Sequence, residues 1–312
     1  MRIVVPNDFP SVFSGSAAEA ELKRLGDLTV FTERGADVED ELIRRIAGAK
    51  VVVTMRAHSK YNARVLDASP ELRFISVWGT GTDNVDSAAC AARGIEVANT
   101  PGANANAVAE HTLALMLALA RRITTLDAEL RGGKWTRGLS IGLEGTTLGL
   151  VGLGAIANRV ARLAAPFGMR ILASPWGPDD GRAAAIGATA VPIEALLAES
   201  DFVSLHLRLS SETERYLDAV RLSRMKPTAF LINTARAGLV DRDAMLTALR
   251  EGRIGGAGLD VFHTEPLPAD DALNSLPNVV MTPHNAGMTP HAVDAGLQMA
   301  VDNVEKFIGR QR

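Results

Sequence analysis

The segment with the most specific chemical spacing is Leu148-Gly149-Leu150-Val151-Gly152-Leu153-Gly154-Ala155-Ile156-Ala157, an apolar run that passes into G-x-G-x-x-A. That arrangement suits a dinucleotide diphosphate. Gly152 permits the tight turn, Gly154 lets the backbone approach a pyrophosphate, and Ala157 is small enough for a following helix to sit close to the strand. The freed N–H groups, those of Ala155 and Ile156 included, and the helix dipole then face the anion. Three further segments carry side chains able to do chemistry, each directly after a strand pattern. They are Asn233-Thr234-Ala235-Arg236-Ala237-Gly238, Leu259-Asp260-Val261-Phe262-His263-Thr264-Glu265-Pro266 and Thr282-Pro283-His284-Asn285-Ala286-Gly287. The carboxyl ends of strands border the ligand crevice of an open parallel sheet. An Arg, a Glu and a His are therefore expected to gather where a nicotinamide ring lies.

The elements that must position these residues alternate along the whole chain: short β-branched or apolar runs, then helical patterns, the signature of parallel sheets covered by helices. The first series of strands is expected at 2–5, 28–31, 51–54, 74–76 and 95–98, with helices such as 16–25 and 38–47 between them. After Asn99-Thr100-Pro101-Gly102 come two long helices, about 103–119 and 122–131, and a Gly-rich irregular piece. The second series is expected at 147–151, 170–173, 202–205, 229–233, 256–260 and 279–281. A last helix, about 290–308, follows the completed second series and is free to return to the first domain.

The second strand of this later series ends in Ser174-Pro175-Trp176-Gly177, where an NAD site usually places an acidic residue on the ribose 2′-hydroxyl. Asp179 and Asp180 come several residues later. With no carboxylate at the strand end a 2′-phosphate is not repelled. Ser174 is placed to donate to it and Arg182 to approach it, so both NAD and NADP fit.

Composition narrows the classes. The 312 residues suit two domains, 47% apolar residues allow a sizeable core, and a net charge of −3 offers no basic field for nucleic acid or an anionic membrane. The lone cysteine, Cys90, excludes an internal disulfide and a thiolate metal cluster, and fits a reducing, cytoplasmic compartment. The start of the chain reads as a strand, not a signal peptide. The most apolar run, 105–120, contains Glu110 and His111 and is too short to span a bilayer. No His/Asp/Glu group has metal-binding spacing, and no G-x-S-x-G supports serine-hydrolase chemistry.

Taken in order, these segments resemble the D-isomer-specific 2-hydroxyacid dehydrogenase family, over essentially the full chain. The resemblance rests on Gly79-Thr80-Gly81-Thr82-Asp83-Asn84-Val85-Asp86, Asn99 to Asn104, Val108-Ala109-Glu110-His111, the glycine motif, and the three segments that hold Arg236, Glu265 and His284. It implies an α/β fold of two doubly wound, Rossmann-like domains. A flavodoxin-like substrate domain would take 1–99 and 286–312, and an NAD(P)-binding domain 100–285. It implies hydride transfer between NAD(P)H and a small anionic D-2-hydroxy acid or 2-keto acid. Arg236 would hold the carboxylate and polarise the 2-carbonyl, His284 would give or take the proton, and Glu265 would favour and orient the imidazolium.

Other positions follow from the same resemblance. Asp260 matches the residue that recognises the nicotinamide carboxamide. His206, Thr213, Thr234, Ala235 and Gly287, with Ser174 and Pro175, are expected along the cofactor. The family pattern H-x-P-x-T here reads His206-Leu207-Arg208-Leu209-Ser210, so Arg208 stands where Pro is common. The backbone of Gly79 and Thr80 matches a carboxylate cradle, Arg56 would reach the far end of an anionic substrate, and Trp78 would limit substrate size. Val77 stands where phosphoglycerate-type members often carry another Arg, which weighs against a phosphorylated substrate. The helices around 103–131 imply a homodimer, with Lys134, Trp135 or Arg137 directed to a neighbouring subunit. Two other functions stay open on the sequence: a non-catalytic NAD(H)-sensing, co-repressor-like module, and oxidation of formate or phosphite on the same fold.

Overall fold

A computed structural model of the chain describes residues 1–178 and 180–311. Its backbone contacts divide into two units, Met1–Asn104 with Met288–Arg312, and Ala105–Gly287. The unit boundaries fall slightly later than the expected 100 and 285 because Thr100 and Gly102 bond back to the first sheet. Gly79 N–H donates to Thr100 Oγ1 at 2.8 Å, Thr100 N–H returns to Gly79 O at 3.0 Å, and the next helix starts only at Ala105.

In the first unit the strands are β1 (Arg2–Val5), β2 (Asp27–Val30), β3 (Val51–Thr54), β4 (Phe74–Val77) and β5 (Glu96–Asn99). They pair in parallel in the order β2-β1-β3-β4-β5. This is the flavodoxin-like order, whose direction of growth reverses between β1 and β3. Central strands buried on both faces read as continuous apolar runs because successive residues enter different cores. Val4, Val52, Ile75 and Val77 fill one core, and Ile3, Val5, Val51, Val53 and Phe74 fill the other. The last helix, Pro290–Arg310, covers that second face with Leu297, Ala300, Val301, Val304 and Phe307. Phe307 stacks on Phe74 with ring centroids 4.7 Å apart. Four large buried side chains at roughly 2 kcal/mol each, an upper bound, explain why the chain returns here after completing the second sheet.

In the second unit the strands are β6 (Thr147–Val151), β7 (Arg170–Ser174), β8 (Thr189–Ala190), β9 (Phe202–Leu205), β10 (Phe230–Asn233), β11 (Gly256–Leu259) and β12 (Val279–Met281). All pairs are parallel, in the order β12-β11-β10-β9-β6-β7-β8. This is the doubly wound dinucleotide order with one strand added, and growth reverses between β6 and β9. Strand β8 was not expected from the sequence, since two residues are too few to carry a periodic pattern.

The helix Ala105–Ala120 packs into the core beside Leu148, Leu150 and Ile232 through Leu113, Leu115, Met116 and Leu119. It presses so closely on the sheet that a Cβ at Gly258 would stand 3.0 Å from Leu115 Cβ. Among the described residues no helix is long and apolar enough to cross a membrane.

Candidate active site

The glycine turn leaves the carboxyl end of β6, at the reversal point of the second sheet. Gly152 has φ +90°, which favours glycine, and a Cβ there would stand 2.9 Å from His206 O. Its N–H donates to Ser174 O at 2.9 Å, while His206 N–H donates to Val151 O at 2.8 Å, so the turn is tied to the ends of β7 and β9. Gly154 N-caps the helix Ala155–Ala164 with no side-chain cap, and a Cβ on it would meet nothing within 4 Å. Its own packing does not demand a glycine. Open space above a helix start whose first amides lack a side-chain acceptor is what a close-lying diphosphate requires. Ala157 is fully buried against the strand layer. The residues present fit a dinucleotide.

Beside the turn, Ser174 is buried at the end of β7 and Pro175 is half-buried. Arg182 donates from Nε to Asp180 at 2.6 Å and from Nη2 to Pro178 O at 3.1 Å. Asp179 lies outside the described residues. His206 Nε2 lies 2.9 Å from Ser204 Oγ, and burial pushes its imidazolium down to about 4, so the ring is neutral near pH 7. Thr213 is buried and closes the neighbouring loop: it accepts from Ser210 N–H at 2.8 Å and donates to Arg208 O at 2.6 Å. A hydroxyl thus shapes the loop in which Arg208 replaces a proline.

The proton-transfer candidates follow β10, β11 and β12, which are neighbours in register: Asn233 lies opposite Leu259, and Leu259 opposite Met281. His284 Nδ1 lies 2.8 Å from Glu265 Oε2, and Glu265 Oε1 accepts the Phe262 N–H at 3.0 Å. Burial opposes ionisation of Glu265. Bonding and charge from His284, the Phe262 amide and the Arg236 guanidinium outweigh it and hold the carboxyl below its ordinary value. His284 itself has φ +51°.

Arg236 sits three residues beyond β10 in a turn stapled by Asn233. That side chain donates to Arg236 O at 2.9 Å and accepts from Ala235 N–H at 3.0 Å. Arg236 Nη1 also donates to Ala235 O at 2.9 Å. Thr234, next to it, meets Thr112 of the long helix at 3.1 Å between hydroxyl oxygens. An Asn at a strand end before a turn is a backbone-mimicking signal, and Asn233 carries it in the sequence.

Asp260, expected at the carboxamide, is 1% exposed. Its carboxylate accepts from Thr282 Oγ1 at 2.6 Å, Asn285 N–H at 3.0 Å and Ala286 N–H at 2.9 Å. Gly287 closes the same loop at the end of the unit. His111, on the long helix, meets Thr282 Oγ1 at 2.8 Å through Nε2.

In the first unit, Gly79 (φ +145°) and Thr80 follow β4. Thr80 O accepts from Asn99 Nδ2 at 2.7 Å. The Arg56 guanidinium, beyond β3, donates to the carbonyls of Phe9 and Pro10 and lies over the Trp78 ring, 5.6 Å from its centroid. Trp78 packs on the last helix so tightly that a Cβ at Gly296 would stand 2.5 Å from its indole nitrogen. Among the described residues no group of three His, Cys, Asp or Glu side chains is placed to hold a metal ion.

A diphosphate turn in a doubly wound sheet, with a carboxylate-bonded histidine two strand ends along from a guanidinium, is the equipment of a nicotinamide-dependent oxidoreductase. Comparison with known proteins narrows that class. The profile of the D-isomer specific 2-hydroxyacid dehydrogenase NAD binding domain matches residues 113–286. The chain is 39% identical over 287 residues to a glyoxylate reductase of Korarchaeum cryptofilum, covering 90% of this chain and 86% of that one. Among solved structures, an acyclic imino acid reductase bound to NADPH and D-arginine superposes with a TM-score of 0.89 at 28% identity, covering 99% and 98% of the two chains. A D-lactate dehydrogenase of Aquifex aeolicus bound to NAD and lactic acid superposes with a TM-score of 0.87 at 29% identity, covering 99% and 96%. The chain belongs to the D-isomer specific 2-hydroxyacid dehydrogenase family. It is an enzyme that moves a hydride between NAD(P) and C2 of a 2-hydroxy acid or its 2-keto partner.

Proposed function

We propose that the enzyme reduces a small, unphosphorylated 2-keto acid, and oxidises the matching D-2-hydroxy acid, using Arg236, Glu265 and His284. The observation that carries this reading is the His284 Nδ1–Glu265 pair at 2.8 Å. It commits one ring nitrogen to a carboxylate and leaves Nε2 for the substrate oxygen. A dinucleotide held by the backbone of Gly152, Gly154, Ala155 and Ile156 would supply or accept the hydride. As charge develops on the 2-oxygen, His284 delivers a proton to it from Nε2. Arg236, permanently cationic and forked, holds the substrate carboxylate and draws electron density from the carbonyl. The unit Ala105–Gly287 serves as the dinucleotide domain, and the first unit supplies substrate contacts. There the Gly79 N–H is already donated to Thr100, so carboxylate capture falls to the amides that follow it, from Thr80 onward. Arg56, with its guanidinium braced on two carbonyls, and Trp78, fixed against Gly296, are the first unit's side chains that would limit the substrate.

A panel of glyoxylate, hydroxypyruvate, pyruvate and bulkier keto acids, each with NADH and NADPH, tests the substrate class. Glyoxylate or hydroxypyruvate is expected to give the highest kcat/KM, in keeping with the glyoxylate reductase likeness. Cofactor binding with no loss of NAD(P)H absorbance on any acid would reject the reading.

The pair predicts a pH effect with a definite sign. The Glu265 carboxyl is held below its ordinary value, so its contribution is full above that value and is lost as pH falls through the lowered one. The pair therefore persists through the neutral range and dissolves only in acid. In Glu265→Gln, which has no carboxyl to titrate, the loss of kcat on acidification that follows this group is expected to vanish, with kcat about tenfold lower at neutral pH. A kcat and an acid limb like those of the wild type would remove the orienting role.

A homodimer is part of the proposal. The helix Ile123–Arg131 buries none of its residues within the chain. Leu130 is 57% exposed, Trp135 76% and Leu139 99%, more apolar surface than a monomer ordinarily leaves in water. Light scattering over a dilution series is expected to give twice the chain mass; a monomer throughout would remove the dimer.

A further inference from the structure

We propose that His111, Thr282 and Asp260 form a positioning chain that fixes the left-handed turn at His284. The proposal rests on the reading that His284 exchanges the proton. A residue with a Cβ avoids φ +51° unless its surroundings impose it. The two amides that follow His284 are held by one buried carboxylate from the neighbouring strand: Asn285 N–H donates to Asp260 Oδ1 and Ala286 N–H to Oδ2, at 3.0 and 2.9 Å. On the other side, Thr282 Oγ1 donates to Asp260 Oδ1 at 2.6 Å, and His284 N–H returns to Thr282 O at 3.0 Å. His284 is thus bracketed from both directions by groups tied to a single side chain.

The hydroxyl also fixes the role of His111. Thr282 has one hydroxyl proton, and it points at a carboxylate that only accepts. The 2.8 Å contact between His111 Nε2 and Thr282 Oγ1 therefore runs from histidine to threonine, so His111 carries a proton on Nε2. His111 Nε2 lies 3.7 Å from Asp260 Oδ1, close enough to add to the field on the same oxygen. His111 stands on Ala105–Ala120, whose Leu113, Leu115 and Met116 are locked in the core. The chain therefore ties the loop after β12 to a rigid helix. With three donors already on it, the Asp260 carboxylate has most of its acceptor capacity committed inside the protein. It acts as a positioning residue for His284.

Thr282→Val keeps the volume and removes the hydroxyl; Thr282→Ser keeps the hydroxyl. In Thr282→Val, amide hydrogen exchange at Asn285 and Ala286 is expected to quicken about tenfold or more, with Tm little changed. Displacement of His284 by a fraction of an ångström is expected to lower kcat for glyoxylate about 10- to 100-fold. The NADH Kd, read by fluorescence, stays within about twofold because the diphosphate turn is untouched. Thr282→Ser is expected to restore most of kcat and the slow exchange. His111→Phe, which leaves the Thr282–Asp260 bond in place, shifts exchange and kcat the same way by a smaller factor. Unchanged exchange and kcat in both Thr282→Val and His111→Phe would overturn the chain. So would a loss that falls wholly on the NADH Kd. An inactive wild type would count against the functional reading alone, since amide exchange still decides the positioning chain.

Discussion

Replacing His284 with alanine is expected to lower kcat about 10³-fold, the mid-range of what a positioned general acid contributes. Cofactor affinity is expected to survive. His284 follows β12 and the glycine turn follows β6, with β11, β10 and β9 between them. At a strand spacing of about 4.8 Å, that is roughly 19 Å across the sheet, too far for a truncated imidazole to disturb the turn at Gly152. The loss should therefore lie in kcat and not in the NADH Kd measured by fluorescence quenching. Added imidazole is expected to recover part of the rate, because the cavity left by the ring lies beside the Glu265 carboxylate that oriented it. A His284→Ala enzyme with near-normal kcat would end the proton-transfer role.

Arg236→Ala is expected to lower kcat/KM for the keto acid about 10³-fold, mostly through KM and about tenfold through kcat. Removing one partner of a hydrogen-bonded charge pair typically costs 2–5 kcal/mol, and part of this guanidinium's work is done only as the carbonyl oxygen gains charge. Arg236→Lys is expected to recover little, since an ammonium cannot present two parallel donors to a carboxylate. The same substitution has a pH signature. The Arg236 charge helps hold the Glu265 carboxyl below its ordinary value. Without it that carboxyl moves up toward the ordinary range, so the His284–Glu265 pair is lost at a higher pH on acidification. Steady-state kinetics at neutral pH, with the acid limb recorded for both forms, checks both effects. An unchanged KM in Arg236→Ala would assign the carboxylate to another residue.

Much of the fold was legible because the deciding signals are local. Runs such as Val51-Val52-Val53-Thr54 are β-branched throughout, and a strand buried on both faces has no other way to read. The glycine turn was legible for a related reason: strand, G-x-G-x-x-A and helix follow one another within a few residues, and backbone geometry dictates each glycine. Where the signal thinned, the reading thinned with it. The two-residue strand Thr189–Ala190 exists because β7 offers it an edge to pair with. Arg122, read as the first residue of a helix, instead has φ +54° and precedes the helix Ile123–Arg131. The expected start of the long helix at 103 moved to Ala105 because Thr100 and Gly102 answer to Gly79 and Thr80, some twenty residues away.

Residue types and their spacing determined which groups this protein has for chemistry: a turn that accepts a diphosphate, a fixed cation, a carboxylate and an imidazole, each placed just past a strand. They also determined the parallel α/β class, because periodicity and turn residues act over a few positions at a time. Tertiary structure alone decided how those groups are held. Asp260 reaches across strands to two amides beyond His284, Asn233 staples the Arg236 turn, and His111 anchors Thr282 from a helix 171 positions earlier in the chain. Such bonds depend on which strand lies beside which and on how deeply a side chain is buried. Those quantities come into being only when distant segments pack, so no local pattern can carry them.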